Sequence, residues 1–326
     1  MSTELQSVRN TATIAPRPRI RVGFIVGPTG SGKTSLALRI ARHLEAEIIN
    51  ADSRQLYRAM DIGTSKPSQS ERVAIRHFLI DIRNPDEPVD VAQFVQLARE
   101  AVYDIASRGK RPLVVGGSGL YLRALRGGIF KGPPASPEIR SELEMVARER
   151  GVGFLHDELA GIDPSAASRI QRGDLYRIVR ALEVWRLTGV PITTHQEGHR
   201  FAAREFDDLA LALKVERAQL YENIDRRFDL MMAEGLVNEV RTLLERGYSP
   251  QKPPLSTIGY KEIAGYLRGE MTLEAAVALA KRETRRLAKR QLTWFNADPL
   301  LEWIDVTDAT EQARARFEKF FGSPTS

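Results

Sequence analysis

The stretch FIVGPTGSGKTSLA, residues 24–37, decides the fold. Its centre, residues 27–34, spells G-x-x-x-x-G-K-T. Before it runs IRVGFIV (20–26), apolar and rich in β-branched side chains, the pattern of a buried strand. After it, KTSLALRIARHL (33–44) continues with helical character. A strand that feeds a glycine loop and then a helix is a phosphate cradle. Glycines let backbone N–H groups converge on phosphate oxygens, and the helix adds the positive end of its dipole. The candidate phosphate-binding set is Gly27, Pro28, Thr29, Gly30, Ser31, Gly32, Lys33 and Thr34. Lys33 supplies a point charge, and the Thr34 hydroxyl is the candidate ligand for Mg²⁺. The loop alone leaves open whose phosphate it holds.

Working outward, short apolar runs recur at EIIN (47–50), HFLIDI (77–82), RPLVVGG (111–117), LALALKV (209–215) and LLEWIDV (300–306). Each predicts a strand. Helical stretches lie between them, and Asp90 with Gln93 three residues on opens a helix over 91–107 as a capping box. This alternation predicts an α/β fold, a P-loop-type parallel sheet core flanked by helices. From about 133 to 200 the pattern changes to helices alone. Ser136-Pro137 and Asp163-Pro164 open two of them, and DLYRIVRALEVWRLTG (174–189) is a third, stopped by glycine. The expected organisation is a disordered tail (1–19), a first part of the core (20–130), an all-α insertion domain (131–203) and a second, mostly helical part of the core (204–326).

The 326 residues include no cysteine, which excludes disulfides, thiolate nucleophiles and Cys-ligated zinc. No apolar run approaches the ~20 residues of a membrane span. Residues 1–19 lack the apolar centre of a signal peptide. A cytoplasmic protein with no membrane partner is expected. The net charge of +6 favours a polyanionic partner.

Hydrolysis of a nucleoside triphosphate would call for further parts. There is no N-K-x-D for guanine, and the strand PLVVGG ends in glycine where an Mg²⁺-coordinating Asp is usual. Asp81 in FLID is the nearest imitation. The carboxyl ends of parallel strands face the ligand crevice. NADSRQLYRAMDIGTSKP (50–67) follows the second strand, so Asp52 points towards the phosphate loop as a general base, a metal ligand or a turn residue. GGSGLY (116–121) reaches the same sheet edge and offers the Ser118 hydroxyl. Near the C-terminus, KRETRRLAKRQLTWF (281–295) places Lys281, Arg282, Arg285, Arg286, Lys289 and Arg290 within an arc of about 180° on a helical wheel. A positive half-cylinder of this kind suits a nucleic-acid backbone.

With these segments together, the chain resembles the bacterial tRNA dimethylallyltransferases, also called tRNA isopentenyltransferases. The resemblance runs over roughly 20 to 305 and rests on GPTGSGKT, DSRQLYRAMDIGTSKP, GGSGLYLRAL, RIVRALEVWRLTG, GLVNEV, GYKEI and LAKRQLTWF, in the family order. It implies transfer of a dimethylallyl group from dimethylallyl diphosphate to N6 of the adenosine 3′ of the anticodon. The loop would then hold a diphosphate leaving group. Asp52 matches the family's proposed base, and Ser118 stands where many relatives have Thr. The resemblance further implies tRNA contacts at Asp52, Ser53, Arg54, Gln55, Ser118, Arg140, Tyr176, Arg177 and Arg180. In the C-terminal part it implies them at Ser256, Thr257, Gly259, Tyr260, Lys261, Lys289, Arg290, Gln291, Thr293 and Trp294. Tyr176, Ser256 and Thr257 depart from the residues usual in relatives. Arg217 and Arg227 flank a helix and could reach the diphosphate. A monomer acting on the anticodon stem-loop is implied.

Three rivals use the same loop: a small-molecule P-loop kinase, an isopentenyltransferase for free adenine nucleotides, and a non-catalytic RNA-binding protein. The kinase would need a pocket for a γ-phosphate acceptor, and the basic helix would be incidental to it. The basic helix and the helical insertion argue against the second. The last would not need an acid at Asp52.

Overall fold

The computed structural model describes residues 19–128, 132–199 and 204–322. The expected N-terminal tail therefore lies, but for Arg19, outside the described residues. In chain order the elements begin β1 (Arg21–Val26), α1 (Lys33–Leu44), β2 (Ala46–Asn50), α2 (Gln69–Ala74) and β3 (His77–Phe78). There follow α3 (Val91–Ser107), β4 (Arg111–Gly116) and α4 (Gly119–Gly127). Five helices come next: α5 (Pro137–Arg150), α6 (Val152–Ile162), α7 (Pro164–Arg169), α8 (Leu175–Thr188) and α9 (Ile192–His199). The chain then runs through β5 (Asp207–Lys214), α10 (Arg217–Ala233), α11 (Leu236–Glu245), α12 (Tyr260–Leu267), α13 (Leu273–Asn296), β6 (Leu301–Asp305) and α14 (Ala309–Phe321).

The six strands form one parallel sheet in the order β3-β2-β4-β1-β5-β6. β1 is central and apolar on both faces, as a strand covered by helices on either side requires. Its alternation sorts the core into two layers. Phe24 and Val26 join Ile49, Val114 and Ala212 on one face, under α3 and α4. Ile25 joins Ile48, Leu113 and Leu211 on the other, under α1 and α14. Val26 pairs with Gly116 and Ala212, and Asn50 with Val115. The carboxyl ends of β1, β2 and β4 are thus level, and the loops that leave them meet.

The stretch 77–82 differs from its predicted strand. Strand pairing covers His77 and Phe78, at the sheet edge. Leu79 and Asp81 then take left-handed backbone conformations, φ 62° and 57°. Ile82 N instead donates to Leu56 O at 2.9 Å, which ties this turn to the loop after β2. Asp81 pairs with Lys66 (2.5 Å) and Arg72 (2.6 Å), so it does not serve as an acid beside the phosphate loop.

Between α4 and β5 the described chain contains helices α5–α9, which enclose a core of their own around Leu143, Leu155, Leu159, Ile178 and Leu182. The basic run 281–295 belongs to the longer α13, whose start is capped by the Thr272 hydroxyl on Ala275 N.

Candidate active site

Three strand ends build the site. Ala51, just past β2, packs so closely on Gly116 that a Cβ there would stand 2.2 Å from the Ala51 carbonyl oxygen. The loops are then sewn together: Ser118 N donates to Ala51 O (3.3 Å), and Ser53 N donates to Ser118 Oγ (3.1 Å). Asp52 sits between these two bonds. Asn50 Oδ1 accepts from Asp52 N (3.1 Å), while Asn50 Nδ2 donates to Leu79 O (2.9 Å). The carboxylate of Asp52 accepts from Arg54 N at 2.9 Å. Gln291, on α13, bridges the other two loops. Its Oε1 accepts from Thr29 N (2.8 Å), and its Nε2 donates to Gly117 O (2.9 Å). A Cβ at Gly117 would come within 2.7 Å of that Nε2, so glycine is what allows the approach.

The loops surround a crevice of about 690 Å³ lined by Thr29, Lys33, Thr34, Asp52, Arg227 and the apolar side chains Ile224, Phe228, Met231 and Leu287. Lys33 Nζ donates to Pro28 O (3.3 Å), and Arg227 donates to the Thr29 hydroxyl. Burial pushes the Lys33 amine down from 10.5 to about 8; the Asp52 charge opposes this and the Arg227 charge adds to it. Burial also lowers the Arg227 guanidinium, again opposed by Asp52. Two desolvated cations thus share one carboxylate, and the crevice is set to receive an anion. The first-turn amides of α1, which have no partner within the helix, add to this. Arg217 does not reach it: its Nε donates to the Tyr221 hydroxyl (3.1 Å) at the surface.

Among the described residues no group of three His, Asp or Glu side chains could hold a metal. That donor set does not suit a protein-caged ion. It does fit Mg²⁺, which keeps several waters and binds through substrate phosphates with few protein ligands. Thr34 and Asp52 are the oxygen donors at hand.

The residues expected to contact tRNA divide in four. Ser53, Arg54, Gln55, Ser118, Arg177, Ser256, Thr257, Arg290, Gln291 and Trp294 all line the crevice. Tyr176, Lys261, Lys289 and Thr293 lie outside its lining and are exposed, Tyr176 at 75 %. Arg140 and Arg180 are tethered to the fully buried Glu183 carboxylate at 2.8 and 2.6 Å. Gly259 and Tyr260 are buried, and the Tyr260 hydroxyl donates to Glu239 at 2.5 Å.

The basic face of α13 is also less open than its wheel implies. Lys281 pairs with Asp229 (2.6 Å), Arg285 with Asp225 (2.6 Å), and Arg286 with Glu283 (2.7 Å). Arg282 stands 3.7 Å from Glu283. Lys289 and Arg290 are exposed and form no ion pair among the described residues. Asn50, Phe228 and Met231 were not singled out from the sequence. Asn50 ends a strand with no motif of its own, and the other two read as ordinary core positions of an amphipathic helix.

Residues 55–298 match the family model described as IPP transferase. The chain belongs to this family. It is 49% identical over 288 residues to tRNA dimethylallyltransferase 1 of Pelobacter propionicus, covering 88% of this chain and 93% of that protein. It is 46% identical over 304 residues to tRNA dimethylallyltransferase of Geobacter sulfurreducens, covering 93% and 98%. Among solved structures it resembles the full-length tRNA isopentenylpyrophosphate transferase of Bacillus halodurans, with TM-score 0.68, 38% identity and coverage of 92% and 96%. It also resembles a eukaryotic dimethylallyltransferase acting on tRNA, with TM-score 0.78, 27% identity and coverage of 94% and 81%. The parallel sheet with flanking helices is the architecture expected of the family.

The Lys33 amine predicts how this chain binds an anion. Its protonated form attracts inorganic diphosphate, and with a free-protein pKa of about 8 that form is lost as pH rises. Affinity is therefore expected to be highest below pH 8 and to fall above it, with proton uptake on binding. Calorimetric titration of wild type and Lys33→Arg across this range checks it. The Arg variant keeps its charge and loses the decline. A wild type as flat as Lys33→Arg contradicts the assignment.

Proposed function

We propose that this chain transfers the dimethylallyl group of dimethylallyl diphosphate to N6 of the adenosine 3′ of the anticodon in tRNA, releasing diphosphate. The observation that carries this reading is one crevice in which the Asp52 carboxylate is gathered with two half-buried cations, Lys33 and Arg227. An anionic leaving group belongs with the cations, and an amine that must lose a proton belongs with the carboxylate. The lone pair of N6 attacks C1 of the allyl group while the C1–O bond breaks. The electron pair of that bond leaves with the diphosphate, and the N6 proton passes to Asp52 as general base. Lys33, Arg227 and the amides of residues 27–34 stabilise the charge that grows on the leaving oxygen. Mg²⁺, held by Thr34 and the diphosphate itself, supplies further positive charge there when bound. Ser118 orients the Asp52 loop through Ser53 N and has a hydroxyl proton to donate to substrate.

The target base leaves the anticodon-loop stack to enter the crevice, as chemistry on a stacked base requires. Arg54, Arg177, Arg290 and the Trp294 ring surround it on the way in. The insertion (131–203) contributes Tyr176, Arg177, Arg140 and Arg180 to the RNA, and the core segments (20–130 and 204–326) carry the chemistry. A monomer is the expected working form. No described helix is long and apolar enough to cross a membrane. The place of action is the cytoplasm.

The direct test is incubation of purified protein with Mg²⁺, labelled dimethylallyl diphosphate and unmodified tRNA, with AMP as a parallel acceptor. Label is expected in tRNA. Label in AMP alone selects the free-nucleotide enzyme, and ATP consumption without label transfer selects a kinase.

The pairing on α13 redistributes the expected phosphate contacts. Lys289→Ala with Arg290→Ala is expected to weaken all tRNA substrates alike and to flatten log K against log salt by up to ~1 unit per lost contact. Arg285→Ala is expected to leave the slope unchanged and to lower stability by about 1 kcal/mol at most, since it removes a half-exposed pair with Asp225. Filter binding across a salt series, with melting curves on the same samples, separates the two.

A further inference from the structure

Two segments, GLVNEV and GYKEI, lie outside the phosphate cradle, yet each sends a side chain to the back of the crevice wall. The wall is the loop after β2, where Gly63, Thr64 and Ser65 line the crevice beside Gln55. Behind it stands Glu239 of α11. Its Oε2 accepts from Asp61 N (2.9 Å) and Ile62 N (2.8 Å), and its Oε1 from Gly63 N (3.1 Å). The Tyr260 hydroxyl of α12 makes the fourth bond, to Oε1 at 2.5 Å. Three consecutive amides and a phenol thus fill the acceptor capacity of one carboxylate, in charge-assisted bonds stronger than neutral ones. The Tyr260 ring lies on Gly63 so closely that a Cβ there would meet it at 2.5 Å. Tyr260 is fully buried, and burial with the neighbouring Glu239 charge raises its phenol well above the usual range, so it stays a donor. A second anchor is Lys66, whose ammonium, with a side chain 2 % exposed, bonds Tyr57 O (2.5 Å), Asp61 (2.6 Å) and Asp81 (2.5 Å).

What this clasp holds in place is Gln55. Its Nε2 donates both hydrogens into the loop, to Thr64 O (3.0 Å) and Ser65 O (3.1 Å). Two carbonyl partners fix which end of the amide is nitrogen, and Oε1 is left as its acceptor, in a side chain that lines the crevice three residues from Asp52. An exocyclic amine has two N–H bonds. Asp52 takes one proton, and a rigid acceptor for the other fixes the nitrogen's orientation.

We propose that Glu239 and Tyr260 are positioning residues that clasp residues 61–65 from behind and so hold Gln55 Oε1 as acceptor for the second N–H of the incoming amine. This rests on the reading of Asp52 as base, which Asp52→Ala tests separately. The experiment is a double-mutant cycle on the full chain with Tyr260→Phe and Gln55→Ala, reading the single-turnover rate at saturating tRNA and donor alongside the tRNA Kd. Tyr260→Phe keeps the ring over Gly63 and removes one bond. It is expected to slow the step about tenfold, a middling coupling for neighbours in one network, and to leave Kd within about twofold. In the Gln55→Ala background it is expected to add less than about twofold. Glu239→Gln, which keeps the shape and loses the charge, is expected to slow the step in the same pattern. Equal losses from Tyr260→Phe in both backgrounds, a loss confined to Kd, or no loss at all would overturn the proposal. A diphosphate-dependent rise in melting temperature in each variant establishes that the fold and cradle are intact.

Discussion

The constraint on which the site depends is the gathering of two half-buried cations, Lys33 and Arg227, around the Asp52 carboxylate that lines the same crevice. Partial loss of solvent disfavours the charge on both, and Asp52 opposes that loss. A site with this imbalance is incomplete without an anion. A diphosphate ester completes it and becomes a better leaving group in doing so, because the charge that grows on its oxygen is the charge the site lacks. The sheet serves that arrangement. Level ends of β1, β2 and β4 bring three loops together, Gly116 allows a backbone contact that no side chain would permit, and Gln291 ties the phosphate loop to the β4 loop.

The C-terminal helices serve two purposes. α13 exposes Lys289 to solvent, while Arg290, Gln291 and Trp294 of the same stretch line the crevice. α11 and α12 support the opposite wall through Glu239 and Tyr260. Packing and chemistry are therefore not separable by segment, and α10 shows the same duality. It lends Arg227 to the crevice while Asp225 and Asp229 neutralise two cations of α13.

What could be read from the sequence was local. The phosphate loop declares itself within eight residues, and Asp52 and Ser118 follow from lying at the ends of strands. The rest depended on partners distant in the chain. HFLIDI is an apolar run such as a buried strand shows, but Asp81, paired with Lys66 and Arg72, sits in a turn that leaves the sheet after two residues. The wheel of 281–290 showed six cations and could not show the acids of α10 that face it. Tyr260 entered only as a contact implied by the resemblance, and a motif gives no sign that its aromatic is buried. Glu239 meets residues 61–63 from some 178 positions away, and no spacing rule announces such a bond.

The most direct measurement of the central claim is the single-turnover rate of Asp52→Ala at saturating donor and tRNA, together with its affinity for diphosphate in Mg²⁺. Loss of a general base predicts a fall of ~10²–10⁴ in rate. Removing the one carboxylate beside Lys33 and Arg227 predicts diphosphate affinity no weaker than in the wild type. A near-normal rate would contradict the account, and so would a loss of diphosphate binding large enough to explain the slower reaction, which would make Asp52 a metal ligand instead of the base.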